Sequence, residues 1–213
     1  MVRLTLVTLA PQLAAMRLSL RAPAAALFVV LLALLGAAPA SATISEALSL
    51  DELVGRADHV VLATATDARA LRDSRDRIVT DYTLRVDEAM KGDAAIGSAL
   101  ILRSLGGAIG DLGMRIEGEP RLEVGRQYVV FMARTSSGSL RPVGMSQGVL
   151  PVREVAGQAT VMPGGEGLSL VQRVRGGQLA PAPAALLHPQ PYLELRARVD
   201  RVIEGERRGT VSP

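Results

Sequence analysis

The chain contains two histidines, His59 and His188, and these are the side chains that could exchange a proton near neutral pH. A hydrolytic triad needs such a base beside a nucleophile and an orienting acid. His59 heads an apolar stretch and His188 is followed by proline, and no Gly-x-Ser-x-Gly motif occurs. We therefore predict no catalytic residue and a non-enzymatic protein. A hydrolase that uses His59 is kept as a remote alternative.

Metal chemistry lacks its ligands in the same way. The two histidines are far apart and the chain has no cysteine, so the ligand set of a zinc site is missing. Acidic side chains that could bind a hard cation lie near one expected hairpin and are interleaved with arginines: Asp73, Asp76 and Asp81 with Arg72, Arg75 and Arg77. This pattern favours a neutralised, solvated loop. We predict no metal and no cofactor.

Charge and aromatic content exclude nucleic acid as a partner. The whole chain has 24 basic and 21 acidic residues, which gives a net charge of +3. Residues 1–42 carry three arginines and no acid, so residues 43–213 are neutral. Single-stranded nucleic acids are bound by aromatic platforms in a positive groove. The neutral part holds four aromatic residues, Tyr82, Tyr128, Phe131 and Tyr192, and the first three occupy expected core positions.

The N-terminal segment predicts export. A basic stretch at residues 16–21 precedes an apolar run at residues 22–38 and then the small-residue pattern Ala40-x-Ala42. This order is typical of a signal peptide cleaved before Thr43. Residues 1–15 fit none of the regions of a signal peptide, so a translation start at Met16 is a further hypothesis. The expected location is the periplasm or the extracellular space, with membrane contact only through the uncleaved signal peptide. The near-exclusive use of arginine, with Lys91 as the single lysine, is typical of a GC-rich bacterial genome.

The rest of the chain shows strand signals at short spacing. Ser49 and Glu52 form a capping box for one short helix. Residues 78–88 alternate between two faces, and residues 127–134 are apolar on both faces, as in a central strand. Further strands are expected at residues 59–68, 98–105, 114–117, 140–145, 148–153 and 158–162.

Six to eight short strands without helices between them predict a mainly β chain built as a barrel or sandwich. The barrel domain is expected to span residues 43–175. The Pro/Ala-rich residues 176–191 predict an extended linker. Residues 192–205 predict an amphipathic helix with Tyr192, Leu195, Val199 and Val202 on one stripe. This stripe fits either packing on the barrel or binding to a partner.

The order of these segments resembles a known family. The residues that carry the likeness are Ala57-Asp58-His59-Val60-Val61, the stretch from Tyr82 to Gly92 that ends in Lys91-Gly92, and Leu122-Glu123-Val124-Gly125 followed by Gln127-Tyr128. Together they resemble the netrin-like module, the OB-fold barrel shared with the tissue inhibitors of metalloproteinases. The chain is also similar to uncharacterised secreted proteins of bacteria. The resemblance implies an OB-like barrel that binds another protein.

One departure from that family limits what the resemblance implies. Its protease inhibitors place the amine and carbonyl of an N-terminal cysteine on the catalytic zinc, and this chain has no cysteine. We therefore predict an exported protein-interaction module with an unknown protein partner. Modulation or inhibition of a secreted protease by another mechanism is the alternative. The expected interaction surface comprises residues of the glycine-rich segment 106–118 and of the C-terminal helix: Gly106, Gly107, Ile109, Asp111, Arg115, Leu195, Val199 and Val202.

Overall fold

The computed structural model describes residues 43–182 and 188–210. The predicted signal peptide, residues 1–42, lies outside the described residues, as do residues 183–187 of the predicted linker. The described elements follow in this order: β1 (Thr43–Glu46), α1 (Leu50–Arg56), β2 (His59–Arg72), β3 (Ile78–Lys91), β4 (Ala99–Leu105), β5 (Gly107–Ile109), β6 (Leu112–Met114), β7 (Gln127–Arg134), β8 (Leu140–Pro142), a 3-10 turn (Met145–Gly148), β9 (Val149–Val155), β10 (Gln158–Val161), β11 (Leu168–Arg173), β12 (Leu179–Pro181), β13 (Gln190–Pro191) and α2 (Tyr192–Thr210).

Five strands close into a barrel in the order β2–β3–β4–β8–β7 and back to β2. Neighbouring strands are antiparallel except β4 and β8, which pair in parallel through Leu102 and Leu140. When the barrel strands are numbered along the chain, the order is 1-2-3-5-4-1, which is the Greek-key connectivity of an OB fold. The prediction of a mainly β, OB-like barrel with a C-terminal helix is confirmed.

The barrel strands bury side chains on the inside and, at two strands, also on the outside. Val61 and Ala63 of β2 and Val130 and Met132 of β7 lie in the cluster that fills the barrel. Their sequence neighbours on the same two strands lie in a second cluster outside the barrel wall. Successive residues of a strand point to opposite faces, so β2 and β7 are buried on both faces. The expectation that residues 127–134 form a central strand is confirmed.

The outer cluster forms where the two helices cover β2 and β7. Val60, Val129 and Phe131 contribute from the strands, and all three are fully buried. The helices contribute a larger set: Leu53 and Val54 from α1 and Tyr192, Leu195, Val199 and Ile203 from α2. Among the described residues, the buried members of both clusters lie between residues 53 and 203, so residues 43–213 contain both of these clusters.

Local sequence explains the clearest elements. On β3 the residues expected on the inner face, from Ile78 to Val86 in steps of two, are all buried, while Arg85 on the other face is exposed. At α1 the Ser49 hydroxyl accepts from the Glu52 amide, and the Glu52 carboxylate accepts from the Ser49 amide, so the predicted capping box is present. The helix continues through Gly55 to Arg56.

A small sheet was not expected from the sequence. The strand β1 pairs in parallel with β11, with Thr43 opposite Leu168, and β11 pairs antiparallel with β12. The buried Gln147 side chain holds this N-terminal segment: its amide oxygen accepts from the Leu48 amide at 2.9 Å, and its nitrogen donates to the Glu46 carbonyl at 3.2 Å. These strands depend on long-range contacts and carry no strong periodicity of their own.

The C-terminal helix is part of the fold. Leu195 is 2% exposed and Val199 is 0% exposed, because their stripe packs into the outer cluster beside α1. The expectation that these two residues offer a free interaction surface is therefore wrong, and Val202 is partly buried beside them. Two short strands lie in the segment predicted as a linker. Residues 179–181 form β12, which pairs with β11, and residues 190–191 form β13, which pairs with β10. Neither helix of the described residues combines the length and apolar character needed to cross a bilayer.

Candidate functional site

A glycine-rich hairpin stands at one end of the barrel, between β4 and β7. Gly106 and Gly107 begin it with φ angles of +93° and +137°. A Cβ on Gly107 would lie 2.4 Å from Thr80 Oγ1, so only glycine lets the chain pass over the barrel at this point. The strands β5 and β6 then pair around a two-residue turn at Gly110 and Asp111. Asp111 is exposed at the tip of the hairpin.

A pocket of about 460 Å³ lies under this hairpin, and we call it the mouth pocket. Its lining comes from β3, β4, the hairpin and the segment that follows the hairpin: Thr80, Tyr82, Ser104, Leu105, Gly106, Gly107, Ala108, Gly113, Met114, Arg115, Ile116, Glu119, Pro120 and Arg121. Its volume is in the range of ligand sites, which combine apolar walls with a few placed polar groups.

The polar groups at the base of the mouth pocket are satisfied within the protein. The Thr80 hydroxyl donates to the Gly106 carbonyl at 2.7 Å. The Glu119 carboxylate, with a side chain only 6% exposed, accepts from the Ser104 hydroxyl at 2.7 Å and from the Leu105 amide at 2.9 Å. Its other oxygen accepts from Arg141 at 3.2 Å. The base therefore presents mainly apolar surface to a ligand.

One cation that lines the pocket has no counterion among the described residues. Residues 115–121, which we call the ridge, carry Arg115 and Arg121. Arg115 pairs with Glu117, whereas the exposed Arg121 has no hydrogen bond or ion pair within residues 43–182 and 188–210. Burial raises the pKa of Tyr82, and the nearby charge of Arg121 opposes part of that rise. In the described part of the chain, Arg121 and Tyr82 therefore line the same pocket, and the arginine brings an unpaired positive charge to it.

A narrower cleft of about 160 Å³ lies on the other side of the ridge. It is lined by Tyr128 and by the glycine-rich loop at residues 163–167. The start of β1 lies beside it, because the Thr43 hydroxyl donates to the Glu117 carbonyl at 3.1 Å and the Thr43 amide reaches the Gly167 carbonyl at 3.4 Å. The predicted first residue of the processed chain therefore lies against the ridge.

The expected interaction surface is split by the fold. Gly106, Gly107 and Arg115 line the mouth pocket, and Ile109 and Asp111 belong to the hairpin above it. The two core residues of α2 described above are on a different surface altogether. Sequence reasoning missed Tyr82, Glu119 and Arg121. The only signal for the last two is the Glu-Gly-Glu-Pro-Arg run that follows the glycine cluster.

His59 is buried beneath the turn that joins β3 to β4. Its Nε2 lies 3.4 Å from the Arg134 guanidinium, and its Nδ1 lies 3.8 Å from Asp93. A Cβ on Gly92 would meet Nδ1 at 2.4 Å, so the ring packs directly against that turn. Within the described chain no hydroxyl group bonds to this ring, and we derive no catalytic step from it.

The loop between β2 and β3 is neutralised as expected at Asp73 and Asp76, whereas Asp81 lies on β3 and pairs with Arg103. Asp73 pairs with Arg77 at 2.7 Å and Asp76 pairs with Arg72 at 2.9 Å. Hydrogen bonds from Arg77 lower the pKa of Asp73 to about 2. Among the described residues, no group of three or more metal-ligating side chains converges on one point.

The chain was compared with protein-family models and with curated proteins, and nothing matches in either comparison.

Proposed function

We propose that this protein is an exported, non-enzymatic interaction module that binds a protein partner with the hairpin end of its barrel. The observation that carries the proposal is the mouth pocket beneath the hairpin, whose tip residues Asp111 and Leu112 are exposed in the described part of the chain. Irregular loops on a rigid barrel are where such folds place their binding residues. The other surface expected from the sequence, the apolar stripe of α2, is already used in the core.

Two exposed leucines give a matched pair of variants for the test. Leu112 on the hairpin is 57% exposed, and Leu193 at the start of α2 is 72% exposed. Neither packs in the core, so Leu112→Asp and Leu193→Asp should both fold. Residues 43–213 carrying each change would be used to capture partners, after cross-linking, from the exported proteins of the source cells. We expect one partner to be recovered by the wild type and by L193D but lost with L112D.

The result that would remove this proposal is a partner lost with L193D and kept with L112D. Repeated capture of no partner by the wild type would remove it as well. Circular dichroism of both variants is the control for folding.

Modulation of a secreted protease is the second candidate, and the position of Thr43 favours it. A strand that begins at the predicted cleavage point and contacts the ridge would present its N-terminus beside the narrower cleft. The test is the activity of co-secreted metalloproteases with and without residues 43–213. An N-terminal Gly-Ser extension is the matched control, because it should abolish an effect that depends on the free terminus. Unchanged protease activity in both cases would exclude this candidate.

A further inference from the structure

The mouth pocket also points to the chemistry of its ligand, and the inference rests on the proposed function. Three features of the pocket matter: the chemical character of its walls, the one charge at its rim and the open edge of the hairpin above it.

The walls favour an apolar group. Tyr82, Leu105, Met114, Ile116 and Pro120 line the pocket. The hydroxyl and carboxylate groups at the base already bond within the protein, so they offer a ligand no unpaired donor. An apolar side chain that enters the pocket would lose water without stranding a polar group.

The rim adds one positive charge. Arg121 is exposed and unpaired in the part of the chain that the structure describes, while the other two guanidinium groups near the pocket, those of Arg115 and Arg141, pair with glutamates. A guanidinium at the rim of an apolar pocket matches a carboxylate placed next to an apolar side chain, because the planar group bonds carboxylate oxygens in a fork.

The hairpin adds a backbone edge. Within the described residues β6 pairs with β5 and with no other strand. Gly113 and Met114 of β6 also line the pocket. A strand edge with unpaired amide and carbonyl groups can accept an extended peptide, whose alternate side chains then select the sequence.

We infer that the mouth pocket binds an extended acidic segment of the partner protein, which pairs with β6, inserts one apolar side chain into the pocket and places an adjacent Asp or Glu carboxylate on Arg121. The binding position and the chemistry of the partner segment follow from three features of the described residues: the apolar walls of the pocket, the unpaired guanidinium of Arg121 and the unpaired edge of β6.

A random heptapeptide library displayed on phage tests this without assuming a sequence. It would be selected on residues 43–213 in the wild-type form, on Arg121→Gln and on Arg126→Gln. Arg126 is the matched control, because it is an exposed arginine on a nearby turn, paired with Glu123 and outside the pocket. We expect the wild type and R126Q to enrich an apolar residue beside an acid, and R121Q to lose the acid while keeping the apolar residue.

One enriched peptide would then be synthesised in three forms: as selected, with its acid replaced by the corresponding amide, and with one backbone nitrogen methylated. Amide-resonance shifts in the wild-type protein should appear at β6 and in residues 115–121. The amide form should bind about fivefold more weakly, which is the contribution expected of an exposed ion pair. The methylated form should also bind more weakly, because it lacks one strand hydrogen bond.

Absence of acid enrichment, equal binding of the acid and amide forms, or loss of the preference in R126Q instead of R121Q would overturn the inference. A partner captured through the hairpin in the leucine experiment would still stand in that case. The two experiments therefore fail separately.

Discussion

The buried carboxylate of Glu119 should be one of the most sensitive positions in the molecule. It joins three elements: the Ser104 hydroxyl and the Leu105 amide on β4, Arg141 on β8, and the ridge to which it belongs. Its side chain is 6% exposed, and that of Arg141 is 24% exposed. Replacing Glu119 with alanine removes the acceptor from all three donors at once.

The size of the effect follows from what is left behind. Removing one partner of a buried ion pair costs about 3–5 kcal/mol, and an unsatisfied buried donor costs about 1–3 kcal/mol. The Ser104 hydroxyl can still donate to the Pro120 carbonyl at 3.1 Å, and Arg141 is partly reached by water. Both facts reduce the loss. We therefore expect Glu119→Ala to lower the free energy of unfolding by about 3 kcal/mol.

Urea unfolding of residues 43–213, followed by circular dichroism, measures this change. Glu119→Gln keeps an acceptor oxygen but loses the charge, so it should cost about 1 kcal/mol. The control is Glu123→Ala, because Glu123 is 73% exposed and pairs with an arginine that is 67% exposed. That change should stay within about 0.5 kcal/mol. If E119A and E123A had equal midpoints and equal slopes, the Glu119 carboxylate would be solvated and the reasoning refuted.

Three further changes test other parts of the fold. Lys91→Met removes the ammonium that donates to the Val54 carbonyl at 2.7 Å and to Glu206 at 3.1 Å. We expect the free energy of unfolding to fall by about 1–2 kcal/mol and amide hydrogen exchange to become faster in the last turns of α2. Unchanged exchange in those turns would contradict this prediction. Ala156 has a φ of +50° in the turn between β9 and β10, a conformation that asparagine adopts more readily than alanine. Ala156→Asn should therefore raise the free energy of unfolding by about 0.5–1 kcal/mol, measured as a higher urea midpoint. A lower midpoint would count against this prediction. Burial raises the pKa of Asp87, but the hydrogen bond from Gln127 and others outweigh it, so its pKa is lowered on folding. The stability that Asp87 contributes is present above about pH 4 and is lost as the pH falls through the folded pKa. Asp87→Asn should therefore make the free energy of unfolding depend less on pH in the acid range. An unchanged dependence would argue against this prediction.

Local patterns predicted the barrel well because each carries its own physical reason. The alternation along β3 requires one buried face, and the apolar character of Val129 and Phe131 on the outward side of β7 requires something to cover that face. The helical stripe at Leu195 and Val199 supplies the cover. The apolar outward face of β7 and the apolar stripe of α2 can each be recognised in the sequence. Only when the two are considered together do they assign the helical stripe to the core.

The parts that escaped prediction depend on contacts between distant residues. Thr43 and Leu168 pair in parallel although they are far apart in the sequence. Neither of the two short strands has a residue pattern strong enough to predict this pairing. The role of Glu119 depends on its approach to Arg141, and a glutamate in a loop is ordinarily solvated. That Arg121 has no partner among the described residues is likewise a property of its surroundings, and no local motif indicates it.

The contribution of α2 to the outer cluster also has a consequence for the order of events during folding. The residues from Tyr192 to Ile203 that complete this cluster follow every barrel strand in the sequence. Until they dock, the outward side of the barrel wall is an uncovered apolar sheet. The fold is therefore complete only when this long-range contact has formed. Chains that stop before residue 192 should aggregate and be degraded, even though they contain every strand of the barrel.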